Sequence, residues 1–341
     1  HGDIIHAFKL LEDMQEEGIS PDEVSFLSIM KAWSGSDLSC ELGRLLHHLV
    51  IKSRFESNIT LSNSLVDMYA KCGNLMDACK LFNELEARNV VSCTAMICGY
   101  VEEGEGIRAF EIFEEMQENG IHPDRATLIA LLKACGMMGT VCVGRVIHET
   151  AMEIGLHADV SLGNTLVDMY AKCGSLMDAY KVFEKLLNRD MVSWHAIISG
   201  YAQQGNYMQT KALMQDMLHQ GLKLDDKVCM SALASFSYVG LLDIGHSYFK
   251  SMRENHKISP TAGHYNCMVD LLGRVGCLME AQDVFDKLQS RDAISWTTLM
   301  SGYSENGISE QALRGLELMP SEGISPDVIA LTRCLEACKT V

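Results

Sequence analysis

Apolar residues recur along this chain at three- and four-residue spacing, the pattern of amphipathic helices. Between Val160 and Asp190, Leu162, Leu166, Met169 and Tyr170 share one helical face, and Leu176, Ala179, Tyr180, Phe183 and Leu186 share another. Gly174 stands between the two stretches, placed to end the first helix as a left-handed cap residue. Ser175 with Asp178 three residues later is a capping-box pattern that starts the second helix. One period earlier, Asn74 and Asp77 repeat the box, and Leu75, Ala78, Cys79 and Phe82 repeat the stripe. Such a hairpin cannot bury its stripe alone, and stacked neighbours must bury it. The pattern predicts an all-α chain, an α-solenoid of tandem two-helix repeats.

The self-similarity is explicit. "NSLVDMYAKCGNLMDACKLF" begins at Asn63, "NTLVDMYAKCGSLMDAYKVF" at Asn164 and "NCMVDLLGRVGCLMEAQDVF" at Asn266, intervals of 101 and 102 residues. "NVVSCTAMICGY" from Asn89, "DMVSWHAIISGY" from Asp190 and "DAISWTTLMSGY" from Asp292 keep the same beat. Pro21, Pro123 and Pro326 follow it too, with Leu224 in the remaining place. Each period divides into three units, with breaks after Asp22, Asn58, Asn89, Asp124, Asp159, Asp190, Asp225, Thr261, Asp292 and Asp327. The units are 1–22 (partial), 23–58, 59–89, 90–124, 125–159, 160–190, 191–225, 226–261, 262–292, 293–327 and 328–341 (partial). The chain reads as a single array cut at both ends, with no separate catalytic domain.

Composition narrows the classes. Nearly half of the 341 residues are apolar, enough for a continuous core. No apolar run is long enough to span a membrane. The 13 scattered cysteines do not form a disulfide framework and read as small packing residues in a reducing compartment. The formal charge of −17 is unusual for a nucleic-acid binder, whose affinity draws on phosphate neutralisation.

Two-helix units of this length suit tetratricopeptide and pentatricopeptide repeats alike. The segments "LVDMYAKCG", "VSWHAIISGYAQQG", "AFEIFEEMQENGIHPD" and "LIALLKACGMMG" resemble the pentatricopeptide-repeat consensus, and the tetratricopeptide W-x₂-L-G-x₂-Y pattern is absent. The alternation of unit lengths 35, 35–36 and 31 resembles the plant PLS subclass. This resemblance implies a right-handed superhelix, a monomer, no cofactor, and a groove that binds single-stranded RNA with one base per repeat. It implies location in a mitochondrion or chloroplast and a role in targeting a transcript for C-to-U editing, with editing cofactor proteins as partners of the L-type units. Any deaminase would lie C-terminal to the array.

Carried over to this sequence, the resemblance assigns base reading to a first-turn residue and the last residue of each unit. The S-type units supply Asn63 with Asn89, Asn164 with Asp190, and Asn266 with Asp292. The P-type units supply Thr94 with Asp124, His195 with Asp225, and Thr297 with Asp327; His195 departs from the usual Asn, Thr or Ser. The L-type units place apolar Leu27, Ile129 and Met230 there, which cannot hydrogen-bond a base edge. Val91, Val192 and Ile294, second in their units, would pack on base faces, and Lys71, Lys172 and Arg274 would contact phosphates. The alternative for these cations is a solvated helix end favoured by the dipole, and for the terminal Asp residues a helix cap.

The chemistry of the pairs follows from donors and acceptors. A carboxylate only accepts, so a terminal Asp favours uracil or guanine, whose Watson–Crick edges carry a central N–H. Short Thr leaves room for a purine, whereas longer Asn reaches a pyrimidine. The expected target, read 5′ to 3′, is pyrimidine, G, any, U, any, any, U, G, starting at the unit from Ile59.

Catalytic patterns are absent: His47–His48 lacks partner ligands, and neither a deaminase H-x-E with P-C-x-x-C nor a Walker A loop occurs. Cys334 and Cys338 lie inside a repeat helix at a spacing that points to packing rather than metal. Tyr69, Tyr100, Tyr170, Tyr201 and Tyr303 fall on helix stripes and are expected in the core. The competing function is a protein-binding helical scaffold, which the negative charge favours.

Overall fold

The structure, a computed structural model, describes residues 2–32, 40–55 and 57–339. Among the described residues there are twenty α-helices, two short 3₁₀ turns and no strand. The chain divides into two compact units, residues 1–175 and 176–341.

In the first unit, Glu23–Ala32, Ile59–Lys71, Val90–Glu102, Arg125–Met138 and Val160–Lys172 are first helices of successive hairpins. Each packs on the next first helix along the chain. The second helices Cys40–Lys52, Leu75–Glu84, Gly106–Glu118 and Val141–Glu153 each lie against the first helix of the hairpin that follows. The second unit repeats this arrangement. Met191–Gln203, Asp226–Val239, Ala262–Val275, Ala293–Glu305 and Val328–Lys339 form its row of first helices, and Tyr207–His219, Leu242–Glu254, Leu278–Asp286 and Ser309–Leu318 bridge them.

The stripes read from sequence form the core. Leu162, Leu166, Met169, Tyr170, Ala179 and Phe183 are buried, as are Ala78 and Phe82. Tyr69, Tyr100 and Tyr201 are buried too, and Tyr303 is half-buried against the last core cluster. Gly174 has φ +76°, the left-handed geometry expected of it. Asn74 caps the helix that follows it, accepting from the Asp77 amide at 3.2 Å.

Packing between first helices is close enough to demand glycine. A Cβ on Gly99 would lie 2.8 Å from the Ala70 Cβ, and one on Gly302 would lie 3.0 Å from the Gly273 Cα. The first approach is closer than real Cβ atoms make and the second would push the facing backbone away, so these "GY" glycines set how closely the helices stack.

Arginines one residue before the unit ends at Asn89, Asp190 and Asp292 also recur in one role. Arg88 stacks over Phe82 at 4.4 Å, Arg189 over Phe183 at 4.8 Å and Arg291 over Phe285 at 4.7 Å. Arg88 reaches on to Glu115 (2.6 Å) and Arg291 to Glu322 (2.5 Å), both in the following hairpin. These contacts tie the last turn of one hairpin to the next.

Candidate nucleic-acid interface

The first helices each start with an orphaned turn of backbone amides, which a side-chain oxygen must satisfy. Asn89, Asp124, Asp190, Asp225 and Asp292 supply it as N-caps of the helices beginning at Val90, Arg125, Met191, Asp226 and Ala293. Asp327 likewise accepts from the Ala330 amide at 2.7 Å. All six therefore act as helix caps, one of the two roles expected of them. The cap uses Oδ1, and at Asp225 the second oxygen is taken by His195, 2.7 Å away.

A hydroxyl three residues into the helix strengthens several caps. Ser193 donates to Asp190 Oδ1 at 2.9 Å and Ser295 to Asp292 Oδ1 at 2.8 Å. At Asn89 the Ser92 hydroxyl instead donates to the Asn89 carbonyl, and Oδ1 accepts the amides of Val91 and Ser92.

The expected pairs meet in different ways. Asn63, buried to 6 % exposure, donates its side-chain amide to Asn89 Oδ1 at 3.4 Å. Its own Oδ1 is buried with no partner. Asn266 occupies the same place two periods on, and its Oδ1 is also buried without a partner. Thr94 and Asp124 are joined through a third residue, Thr127, whose hydroxyl lies 2.6 Å from the Thr94 hydroxyl and 2.8 Å from Asp124 Oδ1. His195 closes directly on Asp225, with Nε2 2.9 Å from Oδ1 and 2.7 Å from Oδ2. Thr297 turns its hydroxyl to the Ile294 carbonyl at 3.0 Å. Asn164 lies buried in the first compact unit, and Asp190 caps a helix of the second.

Val91, Val192 and Ile294 are 57, 57 and 65 % exposed, large apolar side chains left in solvent two residues past the capping Asn89, Asp190 and Asp292. Val24 and Ile329 stand second in their own hairpins and are 67 and 59 % exposed. Sequence reasoning passed over these two, although their place in the unit is the signal that finds them. Leu27, Ile129 and Met230 are half-buried.

The cations at the expected phosphate places are each paired with a carboxylate one turn earlier. Lys71 meets Asp67 at 2.6 Å, Lys172 meets Asp168 at 2.7 Å and Arg274 meets Asp270 at 3.0 Å. The pairs are partly exposed and contribute little stability, under about 1 kcal/mol each. They do leave this row nearly neutral.

Other chemistry finds little support in the geometry. No three His, Cys, Asp or Glu side chains among the described residues are placed to hold a metal, and no described helix is long and apolar enough to cross a membrane. Cys334 is buried in the last core cluster, while the side chain of Cys338 lies outside the described residues. Burial pushes the Cys135 thiol up to about 11 and the Cys267 thiol up to about 12, the reverse of what a nucleophile needs. Cys72 and Cys173 are half-buried thiols at the hairpin corners rather than core residues.

Comparison with known proteins agrees with this architecture. The signature of the PPR repeat matches residues 1–19, 61–90, 164–191, 192–222, 263–292 and 294–324. Those of the PPR repeat family and the pentatricopeptide repeat domain match residues 88–137 and 212–274. The putative pentatricopeptide repeat-containing protein At1g68930 of Arabidopsis thaliana is 37 % identical over 296 residues, 86 % of this chain and 40 % of its own. At3g15130 of the same plant is 33 % identical over 342 residues, 99 % of this chain and 49 % of its own. The chain thus spans about half the length of the curated relatives it matches. Among solved structures, the pentatricopeptide repeat protein PPR10 in complex with an 18-nt psaJ RNA element is 21 % identical, covers 98 % of this chain and 50 % of its own, and superposes with a TM-score of 0.81. Repeat signatures across most of the chain, and relatives along nearly all of it, lead to one conclusion: this chain belongs to the pentatricopeptide-repeat family.

Proposed function

We propose that this chain binds single-stranded RNA and reads its bases one repeat at a time. The observation that carries the reading is a recurring exposed aliphatic side chain, Val91, Val192 and Ile294, each two residues beyond a helix-capping Asn89, Asp190 or Asp292. Asn63 and Asn266 each stand in the hairpin that precedes a capping Asn89 or Asp292, and Asn63 is hydrogen-bonded to Asn89. An aliphatic residue left in water beside polar readers suits the face of an unpaired base. The PPR10 neighbour, solved with RNA, supports the same assignment.

The reading pairs are Asn63 with Asn89, Thr94 with Asp124, Asn266 with Asp292 and Thr297 with Asp327, with Asn164 and Asp190 each a reading residue of its own compact unit. His195 satisfies Asp225 within the protein, so that unit selects weakly. The 125–159 and 226–261 units, with Ile129 and Met230 in the reading place, are silent toward base edges. The unit lengths support assignment to the PLS subclass. Two relatives, At1g08070 and At3g25060, are named chloroplastic and mitochondrial. We extend an organellar location and a targeting role in C-to-U editing to this chain, which acts as a monomer without catalysing the reaction itself.

A second reading, a protein-binding scaffold, draws on the carboxylate-paired cations Lys71, Lys172 and Arg274 and on the net charge of −17. Titration against the single-stranded target and against the same sequence in a duplex separates the two. Base reading requires tight binding to the single strand and loss of binding to the duplex. No affinity for either favours the scaffold.

A further inference from the structure

Two pairs in this chain have the same reading residues, Thr with Asp, yet different surroundings. At Thr297 the hydroxyl turns to the Ile294 carbonyl, and the residue three past Asp327 is Ala330, which offers only its amide. At Thr94 the surroundings include Thr127, the third residue of the next hairpin, which is fully buried. Thr127 is not itself in a reading place.

The protons in this second arrangement can be counted. Thr127 carries one hydroxyl hydrogen, and Asp124, an ionised carboxylate, can only accept. At 2.8 Å the Thr127 hydroxyl therefore donates to Asp124 Oδ1. The 2.6 Å contact between Thr94 and Thr127 then requires Thr94 to donate and Thr127 to accept. Both hydroxyl hydrogens are spent inside the protein. Thr94 keeps only lone pairs for a ligand, and Asp124 keeps only Oδ2. The site presents two acceptors and no donor.

Among the four bases only guanine offers two adjacent donors, N1–H and the 2-amino group, on its Watson–Crick edge. Adenine and cytosine present an acceptor beside a single amino group, and uracil presents one N–H between two carbonyls. We propose that Thr127 is a specificity-determining positioning residue: by taking the Thr94 hydrogen and giving its own to Asp124, it makes this pair an acceptor-only site selective for guanine. The proposal rests on the base-reading function proposed above.

Without the Thr127 hydroxyl, Thr94 is free to rotate and donate to adenine N1, so selectivity falls while the fold is kept. Thr127→Val is the near-isosteric variant. It retains the amide that bonds Asp124 Oδ1 at 2.9 Å, so the helix cap survives. Thr127→Ser restores the hydroxyl.

The test is titration of the whole chain with the eight-base target, carrying guanine, adenine or inosine at the second position and, separately, guanine or adenine at the eighth. Inosine keeps N1–H and lacks the 2-amino group. For the wild type we expect guanine to bind about tenfold more tightly than adenine or inosine at the second position, within the range of a good base contact. Thr127→Val should reduce that preference to about threefold or less, leave discrimination at the eighth position unchanged, and recover with Thr127→Ser. A Thr127→Val chain that still prefers guanine at the second position overturns the proposal. So does a wild type that binds inosine as tightly as guanine there, a result that needs no variant to fold. A wild type that discriminates at neither position instead overturns the base-reading function itself.

Discussion

The side-chain amide of Asn63 reaches Oδ1 of Asn89 across 3.4 Å, linking residues 26 apart in sequence at the head of two stacked helices. The Val91 and Ser92 amides also donate to that oxygen, at 3.0 and 3.1 Å. Three donors converge on Oδ1, so the Asn89 amide cannot be flipped, and its NH₂ group is the atom left for a ligand. Asn89→Asp replaces that donor by an acceptor while keeping an equally good cap. Because an NH₂ donor suits cytosine N3 and a carboxylate suits the uracil N3–H, we expect the variant to melt with the wild type and to shift its first-position pyrimidine preference from cytosine toward uracil. Competition titration with RNAs differing only there checks it, and an unchanged preference contradicts the pairing.

Gly99 sets the distance between the first helices Ile59–Lys71 and Val90–Glu102. Gly99→Ala puts a methyl 2.8 Å from the Ala70 Cβ and 3.0 Å from Leu75 Cδ2. Overpacking of this kind costs about 1–3 kcal/mol. Urea unfolding should show a lower midpoint and an unfolding free energy reduced by that amount. Gly104→Ala, whose added Cβ meets nothing but which sits at φ +78°, separates crowding from backbone strain.

His264 is fully buried, with Nε2 3.0 Å from the Asp226 carbonyl and Nδ1 3.1 Å from the Thr261 amide. Nδ1 accepts from that amide, so the ring must be neutral, with its hydrogen on Nε2. Burial pushes its pKa below 6.5, against the smaller upward pull of the Asp226 carbonyl and carboxylate. The unfolded chain therefore takes up a proton first as pH falls. Stability contributed by this group is present above pH 6.5 and is lost below it, as pH falls toward the lower folded value. Melting between pH 7 and pH 5 should show a decline that His264→Gln makes shallower. Parallel curves for the two proteins would place the sensitivity elsewhere, with half-buried His47 the next candidate because its pKa is lowered in the same way.

Lys172 is held by Asp168 at 2.7 Å on the same helix. If it contacts phosphate, Asp168→Asn removes its competitor. The variant should bind RNA more tightly and lose affinity more steeply with salt, by up to about 0.7 in the log–log slope for one additional phosphate contact. An unchanged slope assigns Lys172 to the helix end alone.

Much of this organisation was legible in the sequence because it is local. Stripes such as Leu162, Leu166 and Tyr170, the left-handed Gly174 and the capping by Asn74 depend on residues within a few positions of one another, and all appear as read. The contacts that distinguish one reading pair from another were not legible. The Thr94–Thr127 bond spans 33 residues and depends on the spacing between two helices, as does the closure of His195 on Asp225 across 30. Stacking of Arg88, Arg189 and Arg291 on Phe82, Phe183 and Phe285 was equally hidden, because arginine at a unit end reads as a solvated charge until the ring beneath it is seen. Of the two roles the sequence allowed Asp292, the structure shows the cap, made through Oδ1.

The most direct test of base reading compares two RNAs at matched salt. One carries the sequence pyrimidine, G, any, U, any, any, U, G, and the other differs only in having A at both G positions. The account predicts tighter binding to the first, by about 1–3 kcal/mol for each correctly read position. Equal affinities for the two RNAs would contradict it.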